Sequence, residues 1–183
     1  MACKGKRITN PVNQQTIEFI ATAKDTNGQE LEMVATWEPH TFQPALHYHP
    51  YQDEIFKVLE GELTLNLNGK KVQMQKGESV LIASGMVHSM WNDSSQRVVV
   101  NWKVFPAMDT EYFLETGVGL AADGKTGRNG MPDILQIALL AQRFRREFRL
   151  IKPSYWLQRI LFSLLIPLAL LSGRKAVYEK YVD

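Results

Sequence analysis

From about residue 16 to residue 105 the chain alternates short apolar runs, rich in Val, Ile, Leu, Phe and Trp, with turn residues. That spacing predicts an antiparallel sandwich or barrel, and helical periodicity is absent there. The clearest hairpin is LTLNLNGKKVQM: Leu63, Leu65 and Leu67 alternate with polar residues, and Asn68-Gly69 can take the positive φ angles of a type I′ turn. KGESVLI, VHSMWN and VVVNWKVF read as the following strands. In the last of these Asn101 and Lys103 mark the outer face, so Val98, Val100, Trp102 and Val104 are expected inside.

Residues 109–132 carry Gly117, Gly119, Gly124, Gly127 and Gly130 ahead of Pro132, which predicts a long connection in place of a regular element. Beyond it the period changes. ILQIALLAQRFRREF puts Ile134, Ile137, Ala138, Ala141, Phe144 and Phe148 on one side at helical spacing, with Arg143, Arg145, Arg146 and Arg149 largely elsewhere. Pro153 can open a second helix at its first position, and Gly173 is a stop signal for it. The expected fold class is mainly β, with a barrel over residues 1–108, a Gly-rich connection over 109–132 and C-terminal α-helices over 133–183.

Composition fits a globular chain: 183 residues, 45% apolar and 22% charged, are enough for one domain with its own core. Net charge is only +2, but residues 133–183 hold nine Lys and Arg against four Asp and Glu. Those basic residues share a helix with an apolar face and accompany no recognition motif, so nucleic acid is not an expected partner. MACKGKR leads into the polar ITNPVNQQ without the apolar run of a secretory signal, which gives a cytoplasmic expectation. A single cysteine, Cys3, excludes an intramolecular disulfide and a cysteine-based zinc site.

Two signals look functional without the context they need. GLAADGKT, from Gly119 to Thr126, satisfies the phosphate-loop spacing, but Gly127, Asn129, Gly130 and Pro132 follow where a helix must begin. Ile160 to Leu171 is almost purely apolar, yet its 12 residues fall short of the roughly 20 that cross a bilayer. Packing on the barrel or in a homodimer interface is the expected cover, and peripheral membrane contact through the C-terminal helices is the other reading.

The chemistry concentrates in HYHPYQDEIFKVLEG and GESVLIASGMVHSMWN. His47 and His49 are two apart, so a strand points both imidazoles to one face, where a metal can bridge them. Strand parity groups Glu54 with Phe56 and Val58 on a face that can point inward. After a turn at Ser84-Gly85, His88 stands on a strand with Met90 and Asn92 on its face. His40 lies outside this pattern, as a loop or surface residue.

These spacings resemble the two motifs of the cupin superfamily. HxH, four residues, Glu54, six residues and Gly61 is similar to the first, and Gly77 through Ser84-Gly85 and His88 to Asn92 is similar to the second. Thr41 and Ala83 depart from it, standing where a Gly and a Pro are usual. The resemblance implies a double-stranded β-helix, or jelly-roll, barrel holding one divalent metal ion through His47, His49, Glu54 and His88. Fe, Mn, Ni, Cu or Zn all suit three imidazoles and a carboxylate. Inward parity of Trp102, with Phe56 and Met90 added, gives an apolar pocket lining that suits a small organic substrate, and Glu54 is expected either to remain a ligand or to serve as the catalytic general base. A metal-dependent dioxygenase is the first expectation, with isomerase or lyase chemistry beside it. The alternative is a non-catalytic binding or sensing module whose helical tail anchors or dimerises. The tail from DGKTGRNG to PDILQIALL is similar to an extension on functionally unassigned cupins and implies no reaction.

Overall fold

The strand alternation becomes two antiparallel sheets in the computed structural model, which describes residues 1–182. The strands of the barrel are β1 (Arg7–Asn10), β2 (Gln15–Ala21), β3 (Leu31–Trp37), β4 (His47–Tyr48), β5 (Asp53–Glu60), β6 (Glu62–Leu67), β7 (Lys70–Gln75), β8 (Ser79–Ile82), β9 (His88–Trp91) and β10 (Val98–Phe105). After them come α1 (Thr110–Ala122), α2 (Ile134–Arg143), β11 (Arg149–Leu150), α3 (Tyr155–Leu171) and α4 (Glu179–Val182). One sheet has the order β1-β2-β3-β10-β5-β8 and the other β11-β4-β9-β6-β7. The architecture is mainly β with C-terminal helices, as the sequence pattern requires.

Alternation decides which side chains meet between the sheets. Leu31, Met33, Ala35 and Trp37 of β3, Phe56 and Val58 of β5, Leu63 and Leu65 of β6, and Val98, Val100, Trp102 and Val104 of β10 are all buried. Burying each large apolar side chain contributes about 1.5–3 kcal/mol, so this face fixes the register: a one-residue slip would turn it to water. Asn68 and Gly69 turn between β6 and β7 with φ of 50° and 86°, both positive as a type I′ turn needs. Gly61, between β5 and β6, has φ of 75°, and a Cβ there would lie 2.3 Å from the Arg97 carbonyl oxygen.

Three expectations for the C-terminal part need correction. Thr110–Ala122 is a regular 13-residue helix inside the stretch expected to be a connection. Gly119 hid it: a Cβ at this position would meet the Tyr181 ring at 2.3 Å, so the glycine serves the docking of α4 and not a turn. Second, the helix expected to run through Phe148 stops at Arg143, with Phe144 as its cap. The chain then turns and adds Arg149–Leu150 as an edge strand beside β4. Third, the barrel does not cover α3, which packs on α2 and buries only Gln158, Phe162 and Ala169. Its apolar residues run round the whole circumference, so one neighbour cannot hide them, and Trp156, Leu164, Leu168 and Leu171 stay exposed.

Pro153 stands before the Ser154 cap of α3 and not within its first turn, whereas Gly173 ends the helix as expected, with φ of 77° and its N–H on the Leu170 carbonyl. No helix among the described residues is long and apolar enough to cross a membrane. The GLAADGKT stretch begins inside the last turn of α1. A phosphate there would face the negative end of a helix dipole, which removes the physical basis of that motif.

Candidate metal centre

β4 and β9 are neighbours, and His47 pairs directly with His88 across them. His49 follows two residues after His47 and returns to the same buried side. β5 belongs to the facing sheet and sends Glu54 across the gap between the sheets. His47, His49, His88 and Glu54 are all buried, and one ring nitrogen from each histidine lies within 4.8 Å of the others. His40, with φ of 56°, is an exposed loop residue away from this group.

The second nitrogen of each ring is committed to the backbone. Nδ1 of His47 donates to the Ala45 carbonyl at 3.0 Å, Nδ1 of His88 to the Met86 carbonyl at 3.0 Å, and Nδ1 of His49 to the Glu147 carbonyl. A carbonyl only accepts, so Nδ1 carries the proton and Nε2 keeps its lone pair. Glu54 Oε2 lies 2.8 Å from His88 Nε2 and 3.3 Å from His49 Nε2. These close approaches lack hydrogen-bond alignment, and all three atoms are buried without such a partner. Buried polar atoms left this way are costly unless something else binds them, and a cation coordinated by Nε2 and carboxylate oxygen would. The donor set therefore fits a divalent metal ion, and the three buried histidines can hold one.

The charge states of His47 and Glu54 agree with that chemistry. Burial, with His88 and His49 nearby, pushes the His47 pKa down to about 3, so its imidazole stays neutral. Burial alone would raise the Glu54 carboxyl, but His49 and His88 outweigh it and hold the pKa well below the usual carboxylate range. For His49, burial opposes the charged form and the Glu54 carboxylate more than compensates, which raises its pKa. Glu54 is thus ionised at neutral pH, and its other oxygen, Oε1, accepts a 2.9 Å hydrogen bond from Trp102 Nε1.

Of the side chains expected to wall a pocket, Phe56 and Trp102 stack with ring centroids 5.6 Å apart, and Met90 sits with them in the barrel core. Asn92, at the end of the second motif, braces a loop: its amide donates to the carbonyls of Trp37, Glu38 and Gln96. Thr41, in place of a glycine, uses its side chain, since its Oγ1 accepts from Asn92 N–H at 2.9 Å. The Ser84-Gly85 turn forms after Ala83, whose carbonyl accepts from Met86 N–H.

Two contributors to the site come from the tail and were not foreseen. Besides the Glu147 carbonyl on His49, the Phe148 ring stacks on His47 at 4.5 Å and 26° and meets His49 edge-on at 6.1 Å. Pairing of Leu150 with His47 and of Arg149 with Tyr48 fixes both residues there. An edge strand of two residues leaves no period to detect in the sequence.

Residues 33–104 match the family described as "Cupin domain". Among curated proteins the chain is 30% identical over 103 residues to "Quercetin 2,3-dioxygenase" of Bacillus subtilis, covering 56% of this chain but only 30% of that protein. It is 28% identical over 151 residues to "Probable oxidoreductase virH" of Hypocrea virens, covering 75% of this chain and 67% of the relative. Among solved structures, one described as a predicted oxalate decarboxylase from Thermotoga maritima superposes with a TM-score of 0.50 at 21% identity, over 57% of this chain and 98% of that one.

Proposed function

We propose that the chain is a cupin-type protein that binds one divalent metal ion through His47, His49, Glu54 and His88 and uses it on a small organic molecule. One observation carries this reading: three buried imidazoles, each with Nδ1 tied to a backbone carbonyl, aim at the ionised carboxylate of Glu54. Such a pre-set shell costs little reorganisation when an ion enters.

A divalent ion held there supplies a Lewis acid that polarises an oxygen of the bound molecule and, when redox-active, takes part in oxidation. The protein's own residues do the rest. Trp102 fixes one oxygen of Glu54, and the other is free to remain a ligand or to take a proton from a bound molecule. Dioxygenase chemistry is the first reaction class, supported by the likeness to a protein named quercetin dioxygenase, with isomerase or lyase chemistry next. Metal analysis of the purified protein followed by oxygen-uptake screening against small aromatic and aliphatic compounds tests it. Stoichiometric metal with oxygen consumption supports the reading, and protein that takes up no divalent ion overturns it.

A second reading has its own observation. Phe148 covers one face of His47, as suits a module that holds a ligand without turning it over. Metal-loaded protein that binds organic ligands tightly but consumes neither ligand nor oxygen would favour it.

A further inference from the structure

Phe148 has two sides. One lies on His47; the other lies against Phe113 of α1, with ring centroids 4.8 Å apart and planes 31° from parallel. Beyond it is a cavity of about 140 Å³ between α1, the Gly-rich loop and α2, walled by Phe113, Leu120, Met131, Pro132, Leu140 and Phe148 itself. Phe148 therefore belongs both to the wall of this space and to the cover of His47. The cavity belongs to the C-terminal extension and not to the barrel interior, where Phe56, Met90 and Trp102 fill the core.

We propose that this cavity seats the apolar part of a small ligand, a single aromatic ring or a short branched chain, and that Phe148 is the partition which turns aside to let the ligand's polar end reach the metal centre. The inference rests on the reading of His47, His49, Glu54 and His88 as a metal site. Size selects the occupant. A cavity of about 150 Å³ lined by Leu, Ile and Phe takes up benzene, and a space of this volume with so few polar wall atoms offers water few partners. Polar wall atoms are scarce, so a charged or sugar-like molecule would lose more solvation than it regained. Turning the Phe148 side chain about its own bonds is enough, since the Glu147 carbonyl on His49 and the pairing of β11 with β4 hold the backbone on either side of it.

Toluene is the probe for the cavity, because it carries no atom that binds a metal. Full-length protein without added ion is expected to take up one toluene, read by NMR shifts confined to the methyl groups of Leu120, Met131, Ile137 and Leu140. Ala141→Trp, or the milder Ala141→Leu, fills the space and is expected to abolish uptake while leaving metal content unchanged. No uptake by the wild type, or uptake indifferent to the filling variants, overturns the cavity. For the partition the readout is the rate at which diethyl pyrocarbonate modifies His47 and His49, followed by mass spectrometry. Phe148→Ala, and Phe148→Leu should the alanine variant fold poorly, are expected to accelerate it several-fold. Equal rates in a folded variant overturn the gating role. Protein that binds toluene and takes up no divalent ion would sink the metal reading and leave the cavity standing, so the two failures are distinguishable.

Discussion

Trp102 holds Glu54: the indole Nε1 donates to Oε1 at 2.9 Å, deep in the barrel, and leaves Oε2 facing the imidazoles of His49 and His88. Both come from the six-stranded sheet, on paired neighbours β5 and β10, so the carboxylate is oriented before anything binds. Trp102→Phe keeps the stack on Phe56 and removes only the donor. It is expected to weaken metal affinity by about 10–100-fold, the usual cost of losing a partner that orients a ligand. Competition titration against a metal indicator measures it, and unchanged affinity would show that the hydrogen bond serves packing alone.

His47→Ala and His88→Ala are each expected to strip the purified protein of most of its divalent metal, whereas His40→Ala keeps it, because His40 sits on an exposed loop. Elemental analysis of the three variants decides. Equal metal in all three contradicts the site.

Glu54→Gln is nearly isosteric and its amide can satisfy both neighbours, with the carbonyl oxygen accepting from Trp102 and the NH₂ donating to the imidazole lone pairs. Thermal stability should therefore hold while metal affinity falls sharply, since those lone pairs are then occupied. Should the variant retain its metal and lose only turnover, Glu54 acts as a base and not as a ligand.

The docking of α4 on α1 depends on pH with a definite sign. Hydrogen bonds from Lys180 and Tyr181 hold the Asp123 carboxyl down to a pKa of about 2, against an ordinary value of 3.8. A depressed carboxyl stabilises the fold above the ordinary value and stops doing so as pH falls through the folded one, so this contact should loosen between about pH 4 and pH 2. Gly119→Ala is expected to displace the Tyr181 ring at any pH, while the roughly 1 kcal/mol that alanine adds to a helix offsets the lost packing. Tyr181 ring resonances report both effects. An unmoved ring in the variant would mean that α1 shifts instead.

The exposed row Trp156, Leu164, Leu168 and Leu171 on α3 needs cover. From Leu161 to Leu171 the helix carries no charge, so two copies can meet there without opposing charges. Self-association to a dimer is expected in light scattering, and Leu164→Ser with Leu168→Ser should reduce it to monomer. A monomeric wild type that co-sediments with anionic liposomes would place the row on a lipid surface, beside Arg145, Arg146, Arg149 and Arg159.

The sequence was most readable where side-chain parity and burial coincide. The inner face of β10, the Asn68-Gly69 turn and the inward parity of Glu54 follow from a period of two and from backbone angles open to few residues. It was least readable where long-range contacts decide. Gly119 reads as loop until Tyr181 is placed against it, and Phe148 reads as one more apolar residue on a helix until β11 pairs with β4. Nothing local to Glu147 says that its backbone oxygen will orient a histidine 98 residues earlier in the chain. A backbone contact of that kind is indifferent to the side chain that carries it.

That bond also sets an order in time. A ribosome releases every strand of the barrel, with His47, His49, Glu54 and His88 on them, before it reaches Glu147 and Phe148. During that interval the imidazole of His49 lacks its carbonyl partner and the face of His47 is uncovered. Arrival of the last segment fastens one ring and shutters the other. A chain cut by a protease between α2 and β11 and freed of the last segment is expected to keep its barrel while both rings return to that unfastened state.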